Sequence, residues 1–256
     1  MVWEWIEDGL HELDVRHLRR RLSSREGPQS AVIELGGQRL LNFGANDYLG
    51  LANDPRMIAS VHDCLARYGW GSAASPLVNG RSQPHEELES ALADFEGTEA
   101  SLVFPTGFAA NVATITALVG PGDVVLSDAR NHASIIDGCR LSGAEIVVLP
   151  HLDLQAFAES LRRHSAARRR LIVTDGLFSM DGDLAPVAEL ARLADQFGSM
   201  LLVDEAHSTG ILGAGGRGVC ELQGVDHHQV VRVGTLSKAL GSLGGFVVGP
   251  RRLIDW

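Results

Sequence analysis

Apolar positions along this chain follow two periods. From about residue 100 onward, short apolar runs recur at 101–104, 123–126, 145–149, 171–174, 201–203, 230–233 and 246–248. Each is short enough and apolar enough to be a buried strand. Between several of them lie stretches of helical period, at 107–118, 154–163 and 187–197. Strands alternating with helices predict an α/β domain built on a largely parallel sheet. Before residue 100 the pattern differs. Residues 3–22 predict an amphipathic helix ending in Arg19-Arg20-Arg21, and 29–43 predict a short hairpin through Gly36-Gly37. Asn46-Asp47-Tyr48-Leu49-Gly50 is turn-like, 55–68 predicts a helix capped by Asp54, and 84–95 predicts another. The expected organisation is an N-terminal helix-and-hairpin arm, 1–45, followed by one large domain, 46–256.

One stretch mimics a membrane span. Residues 102–122 carry no charge, but Pro105, Gly107, Asn111 and three threonines break the run, so a buried strand, a turn and a helix are expected there. The acidic, amphipathic opening segment does not read as a secretory signal.

Composition narrows the chemistry. The 256 residues are 45% hydrophobic and 21% charged, which excludes disorder and a disulfide scaffold. Acidic residues number 32 against 22 basic ones, a net charge of -10, opposite to the basic excess of a nucleic-acid binder. Cys64, Cys139 and Cys220 are odd in number, far apart and in no metal spacing, which suits a reducing cytoplasm. Among the 22 basic residues the only lysine is Lys238, in Gly234-Thr235-Leu236-Ser237-Lys238. Arginine replaces lysine as a surface charge, but its pKa is too high for it to serve as an amine nucleophile.

Polar residues follow the strand ends, where ligands bind in open α/β sheets. Thr106-Gly107-Phe108-Ala109-Ala110-Asn111 joins a strand to a helix whose first N–H groups suit an anion; alone it reads more readily as an ordinary turn. Asp204, with His207 three residues on, ends another strand; it suits a cationic ring nitrogen, a structural hydrogen bond or, less readily, a metal. His132 follows a third strand, and Phe178-Ser179-Met180-Asp181-Gly182-Asp183 reads as a tight turn after a fourth. Together, in this order, they supply what pyridoxal phosphate needs: a phosphate cradle, an anion for the pyridinium and an amine for a Schiff base.

These motifs carry a family resemblance. Asn46-Asp47-Tyr48-Leu49-Gly50-Leu51, Gly107-Phe108-Ala109-Ala110-Asn111, His132-Ala133-Ser134, Phe178 to Asp183, Asp204 to Gly210, Gly216-Arg217-Gly218 and Thr235 to Lys238 resemble the α-oxoamine synthases, pyridoxal phosphate enzymes of fold type I, over nearly the whole chain. The resemblance implies a mostly parallel sheet of about seven strands with helices on both faces. It implies that Lys238 forms the Schiff base and later moves the Cα proton, that Asp204 keeps the pyridinium protonated, and that His132 stacks on the ring and helps to place substrate. Ser179 and His207 are implied near the ring's phenolic oxygen. Gly107, Phe108 and Thr235 are implied at the phosphate, and Arg19 and Asn46 at the substrate. No metal is implied.

Within the family the resemblance is strongest to the member of biotin formation. That member condenses L-alanine with a pimeloyl thioester, of CoA or a carrier protein, to 8-amino-7-oxononanoate, thiol and CO2. The sister reactions use glycine with acetyl- or succinyl-CoA, or serine with a long acyl thioester. The resemblance further implies a cytoplasmic homodimer with the site at its interface, no membrane or nucleic-acid partner, and a small C-terminal domain that this chain does not include. A cofactor-binding subunit without catalysis is the other reading.

Overall fold

The computed structural model describes residues 2–225 and 230–256, and it divides into two units, 1–44 and 45–256. In the first unit, helix α1 (Glu4–Val15) is followed by strands β1 (Arg25–Glu26), β2 (Val32–Leu35) and β3 (Gln38–Leu41), which pair antiparallel in that order. Gly36 and Gly37 turn the β2–β3 hairpin with φ of 57° and 74°, values that side chains with a Cβ resist. The helix is shorter than expected. It stops at Val15 because His17 takes a left-handed φ of 55°, and Asp14 draws the downstream Arg19 back to 2.6 Å. The three arginines therefore lie beyond the helix. Strand β1 had no signal in the apolar pattern, since both its residues are exposed and charged.

The second unit begins with α2 (Pro55–Tyr68), where the Asp54 carboxylate accepts the Arg56 N–H at 2.8 Å as the expected cap, and α3 (Gln83–Glu96). Next come β4 (Ala100–Phe104), α4 (Gly107–Leu118), β5 (Val124–Asp128), α5 (Ala133–Ser142), β6 (Glu145–Leu149), α6 (Leu154–Arg163) and β7 (Arg170–Asp175). The unit ends with α7 (Val187–Phe197), β8 (Met200–Asp204), α8 (Val219–Leu222), β9 (Val230–Thr235), β10 (Gly245–Gly249) and α9 (Arg251–Asp255). Residues 102–122 thus form a strand, a turn and a helix, and no helix among the described residues is long and apolar enough to cross a membrane.

Seven strands make one sheet in the order β4-β10-β9-β8-β7-β5-β6. The five from β9 to β6 are parallel; β10 runs antiparallel to both neighbours. Alternate residues of one strand feed opposite cores, as a period of two requires. Val124, Leu126, Ile172, Leu201 and Val203 pack under α6 and α7, while Val125, Leu171, Val173 and Leu202 pack under α4 and α5. Helices therefore cover both faces. A third cluster joins Leu92 of α3 to Leu236, Phe246 and Val248. The carboxyl ends of β5, β7, β8 and β9 bring Asp128, Asp175, Asp204 and Thr235 to one edge.

Candidate active site

A cavity of about 200 Å³ opens at that edge. Its lining includes Gly107, Phe108, Asn111, His132, Asp175, Asp204, His207, Thr235 and Lys238. Seven residues singled out in the sequence thus meet there: Gly107, Phe108, His132, Asp204, His207, Thr235 and Lys238. Ser179 is exposed in the turn after β7 and is not part of the lining; Phe178 N–H donates to the Asp183 carbonyl at 2.9 Å to hold that turn. Asn46 accepts the Tyr48 hydroxyl at 3.2 Å, and Tyr48 in turn meets His207. Arg19 belongs to the N-terminal unit, where it pairs with Asp14.

The anionic end of the cavity is built by β7 and β8. Asp175 and Asp204 are register partners across the parallel pair, and both are buried. Asp204 accepts the Ala206 N–H on Oδ1 at 2.8 Å and the Asn111 amide on Oδ2 at 2.6 Å. Burial, and then the Asp204 carboxylate, push Asp175 up to about 8, so the pair carries less than two full charges until a cation joins it.

The opposite end is a helix start. Thr106 caps α4 by accepting the Ala109 N–H on Oγ1 at 3.0 Å, and the N–H groups of Gly107 and Phe108 open the first helical turn with no intrahelical acceptor. A Cβ on Gly107 would meet the Thr235 Cβ at 3.2 Å, so glycine lets β9 approach the cap closely. The Thr235 hydroxyl donates to the Gly244 carbonyl at 2.8 Å, and its oxygen accepts the Ser237 N–H at 3.2 Å. Ser237, exposed and also part of the lining, is a second hydroxyl at this end.

Lys238 is half-buried. Burial pushes its amine down, against the pull of the Asp204 and Asp175 carboxylates. Its Nζ lies 2.9 Å from Nε2 of His207. Burial, then the Lys238 charge, push His207 down to about 4, so this imidazole is neutral and accepts the lysine hydrogen.

An amine, a paired buried carboxylate and an N–H cradle around one cavity fit pyridoxal phosphate. Lys238 is the only described amine at the site, Asp204 is the anion for its ring nitrogen, and the buried Asn111 Oδ1, which has no hydrogen-bond partner, marks the wall as built for a polar occupant. Among the described residues, no group of three His, Cys, Asp or Glu side chains is placed to hold a metal ion.

Asn111, Ser134, Asp175, Tyr48 and Ser237 also stand at or against the site without a role read from the sequence. All but Asp175 sit inside the family motifs, which was the signal available; Asp175 ends an apolar strand, as Asp204 does.

The fold and site together define a pyridoxal phosphate-binding domain of fold type I. The family model for aminotransferase class I and II matches residues 38–256, and this chain belongs to that family, within its α-oxoamine synthases; pyridoxal phosphate is its cofactor. The 8-amino-7-oxononanoate synthase of Anaeromyxobacter sp. (strain Fw109-5) is 50% identical over 252 residues, covering 98% of this chain and 63% of that protein. A serine palmitoyltransferase of S. paucimobilis, solved with a PLP–myriocin aldimine, superposes with a TM-score of 0.89 at 37% identity, over 96% of this chain and 63% of the other. The 8-amino-7-oxononanoate synthase structure of Francisella tularensis gives 0.72 at 28% identity, over 83% and 59%. The chain therefore spans less than two thirds of the length of these relatives.

Proposed function

We propose that this chain carries the cofactor-binding part of an α-oxoamine synthase, which joins an amino acid to an acyl thioester with loss of thiol and CO2. The observation that carries the reading is Lys238 Nζ, 2.9 Å from a neutral His207, in a cavity shared with Asp204. Bound pyridoxal phosphate supplies an electron sink that makes the amino-acid Cα acidic. Lys238 would hold the cofactor through its amine, and that amine would take the amino-acid Cα proton and return one. His207 receives hydrogen bonds from Lys238 and so steers its Nζ. Asp204 holds the positive ring nitrogen, and the N–H groups of Gly107 and Phe108, with Thr235 and Ser237, hold the phosphate. His132 borders the cavity, where it flanks the ring and helps to place the substrate. On the family resemblance alone, Ser179 is assigned to the ring's phenolic oxygen, and Asn46 and Arg19 to substrate.

Two substrate pairs have support. Identity of 50% to an 8-amino-7-oxononanoate synthase supports L-alanine with a pimeloyl thioester. The TM-score of 0.89 to a serine palmitoyltransferase supports serine with a long acyl thioester. Separate absorbance titrations of the loaded protein with alanine, glycine and serine decide between them. A change specific to alanine, followed by product with pimeloyl thioester, fits the first pair, and one specific to serine fits the second. No response to any amino acid sinks catalysis by this chain and leaves a cofactor-binding subunit.

The chain is further proposed to form a cytoplasmic homodimer. Trp70, Leu77 and Val78 are 92%, 98% and 80% exposed, apolar surface that a second copy would cover. Light scattering on the purified protein tests this; a monomer at micromolar concentration rejects it.

A further inference from the structure

A chain of hydrogen bonds runs from buried Asp204 out to His132, and the chemistry at its two ends fixes its direction. The Asp204 carboxylate only accepts, so the group 2.6 Å from its Oδ2 is the Asn111 NH2. The second hydrogen of that NH2 goes to Ser134 Oγ at 2.9 Å. Ser134 Oγ therefore accepts there, and its own hydrogen turns to His132 Nδ1 at 2.7 Å. Independently, the Ser134 backbone N–H, which only donates, points to the same Nδ1 at 3.2 Å. Nδ1 is thus an acceptor twice over. The backbone of His132 is held as well, since its N–H donates to Asp175 Oδ2 at 2.7 Å, and the Asp175 N–H is held in turn by Asn131 Oδ1 at 2.9 Å. Asn111 and Ser134 are 2% and 1% exposed, so water does not compete for the bonds from Asn111 to Asp204 and Ser134, while the His132 ring at the other end reaches the open cavity.

We infer that Asn111 and Ser134 are positioning residues that hold His132 as the tautomer protonated on Nε2, with Asp175 fixing its backbone, so that its imidazole offers the active site a hydrogen-bond donor. A donor selects an oxygen acceptor, such as the carboxylate of an amino acid. The same Asn111 amide orients the Asp204 carboxylate, so the group facing the ring nitrogen and the group flanking the ring are set by one side chain. This rests on the cofactor-site reading above but on neither substrate pair.

Nitrogen-15 NMR of the histidine rings tests it in the pyridoxal phosphate-loaded protein without amino acid or thioester, with His132 assigned from the spectrum of His132→Gln. The expected result is a pyridine-type Nδ1 and a protonated Nε2. In Ser134→Ala the ratio of the two tautomers falls about fivefold, the worth of one neutral hydrogen bond, and Ser134→Thr, which keeps the hydroxyl, restores it. Should Ser134→Ala fail to fold by circular dichroism, Ser134→Cys, a weaker donor of similar size, carries the same expectation at smaller amplitude. A protonated Nδ1 in the parent protein, or a ratio untouched by either substitution, overturns the inference. Because no substrate is present, a failed amino-acid titration leaves this result standing.

Discussion

Lys238 Nζ and His207 Nε2 lie 2.9 Å apart, and the bond between them begins a second directed chain. With His207 pushed down to about 4, Nε2 accepts from the lysine and Nδ1 carries the ring hydrogen. That hydrogen donates to the Tyr48 hydroxyl at 2.8 Å, and Tyr48 donates to Asn46 Oδ1 at 3.2 Å. Every group in this chain has a compatible partner. The lysine is held at one end, and the residue implied at the substrate stands at the other.

Lys238→Ala should remove covalent attachment of the cofactor, read as loss of the borohydride-fixed mass increment. Turnover should fall by at least the roughly 10²–10⁴-fold that a positioned proton-transfer group contributes. Lys238→Arg should not rescue either readout, because guanidinium does not lose its proton. Retained turnover in Lys238→Ala would refute the role.

Tyr48→Phe takes away the acceptor of the His207 Nδ1 hydrogen. Its ring still packs, so folding should be unaffected. The expected outcome is a fall in kcat of about tenfold, the worth of one hydrogen bond near 1.4 kcal/mol, with a smaller change in KM. Steady-state kinetics of the two proteins check this, and an unchanged kcat removes Tyr48 from the machinery.

Asp175 predicts a pH dependence whose sign is set by its direction. Burial and the neighbouring Asp204 push it up to about 8, well above an unfolded aspartate near 3.8. Between those two values the native state holds a proton that the unfolded chain has released. Stability of the cofactor-free protein therefore falls as pH rises from about 4 to about 8. Glu96, pushed up to about 7 by burial despite the pull of Arg232, adds to the same slope. Thermal midpoints at pH 5 and pH 8 should differ in that sense, and Asp175→Asn should flatten part of the difference. Equal flattening in an exposed-aspartate control would count against the assignment.

Arg232 and Glu96 form a buried pair at 2.6 Å, with side chains 1% and 2% exposed. Arg232 lies on β9, which leads to Thr235 and Lys238, and it also donates to the Glu96 carbonyl at 2.8 Å. Arg232→Met leaves the buried Glu96 carboxyl without its cation and should cost about 3–5 kcal/mol in urea unfolding above about pH 8, where the carboxyl must be buried charged or take up a proton. Adding Glu96→Gln should recover part of that loss, since a neutral amide is cheaper to bury.

Much of the architecture was legible along the chain, because it depends on neighbours a few residues apart. The short apolar runs locate the strands of the main sheet, and Asp54 and Gly36-Gly37 mark a cap and a turn by chemistry that acts within three residues. The isolated lysine and the acid that ends β8 announce amine and cation chemistry before any contact is known. Helix α5 was invisible for the complementary reason. Its sequence, with Ser134, Gly138, Cys139 and Ser142, has weak helical preference, and packing on α4 stabilises it: a Cβ on Gly138 would meet Ile115 Cδ1 at 3.0 Å. The antiparallel β10 between β4 and β9 likewise pairs strands distant in sequence, and its apolar run looks like that of any buried parallel strand. The site's working contacts are of this kind. Asn111 reaches Asp204 across 93 residues and Tyr48 reaches His207 across 159, separations over which a hydrogen bond leaves no local pattern and exists only once the sheet brings the strand ends together.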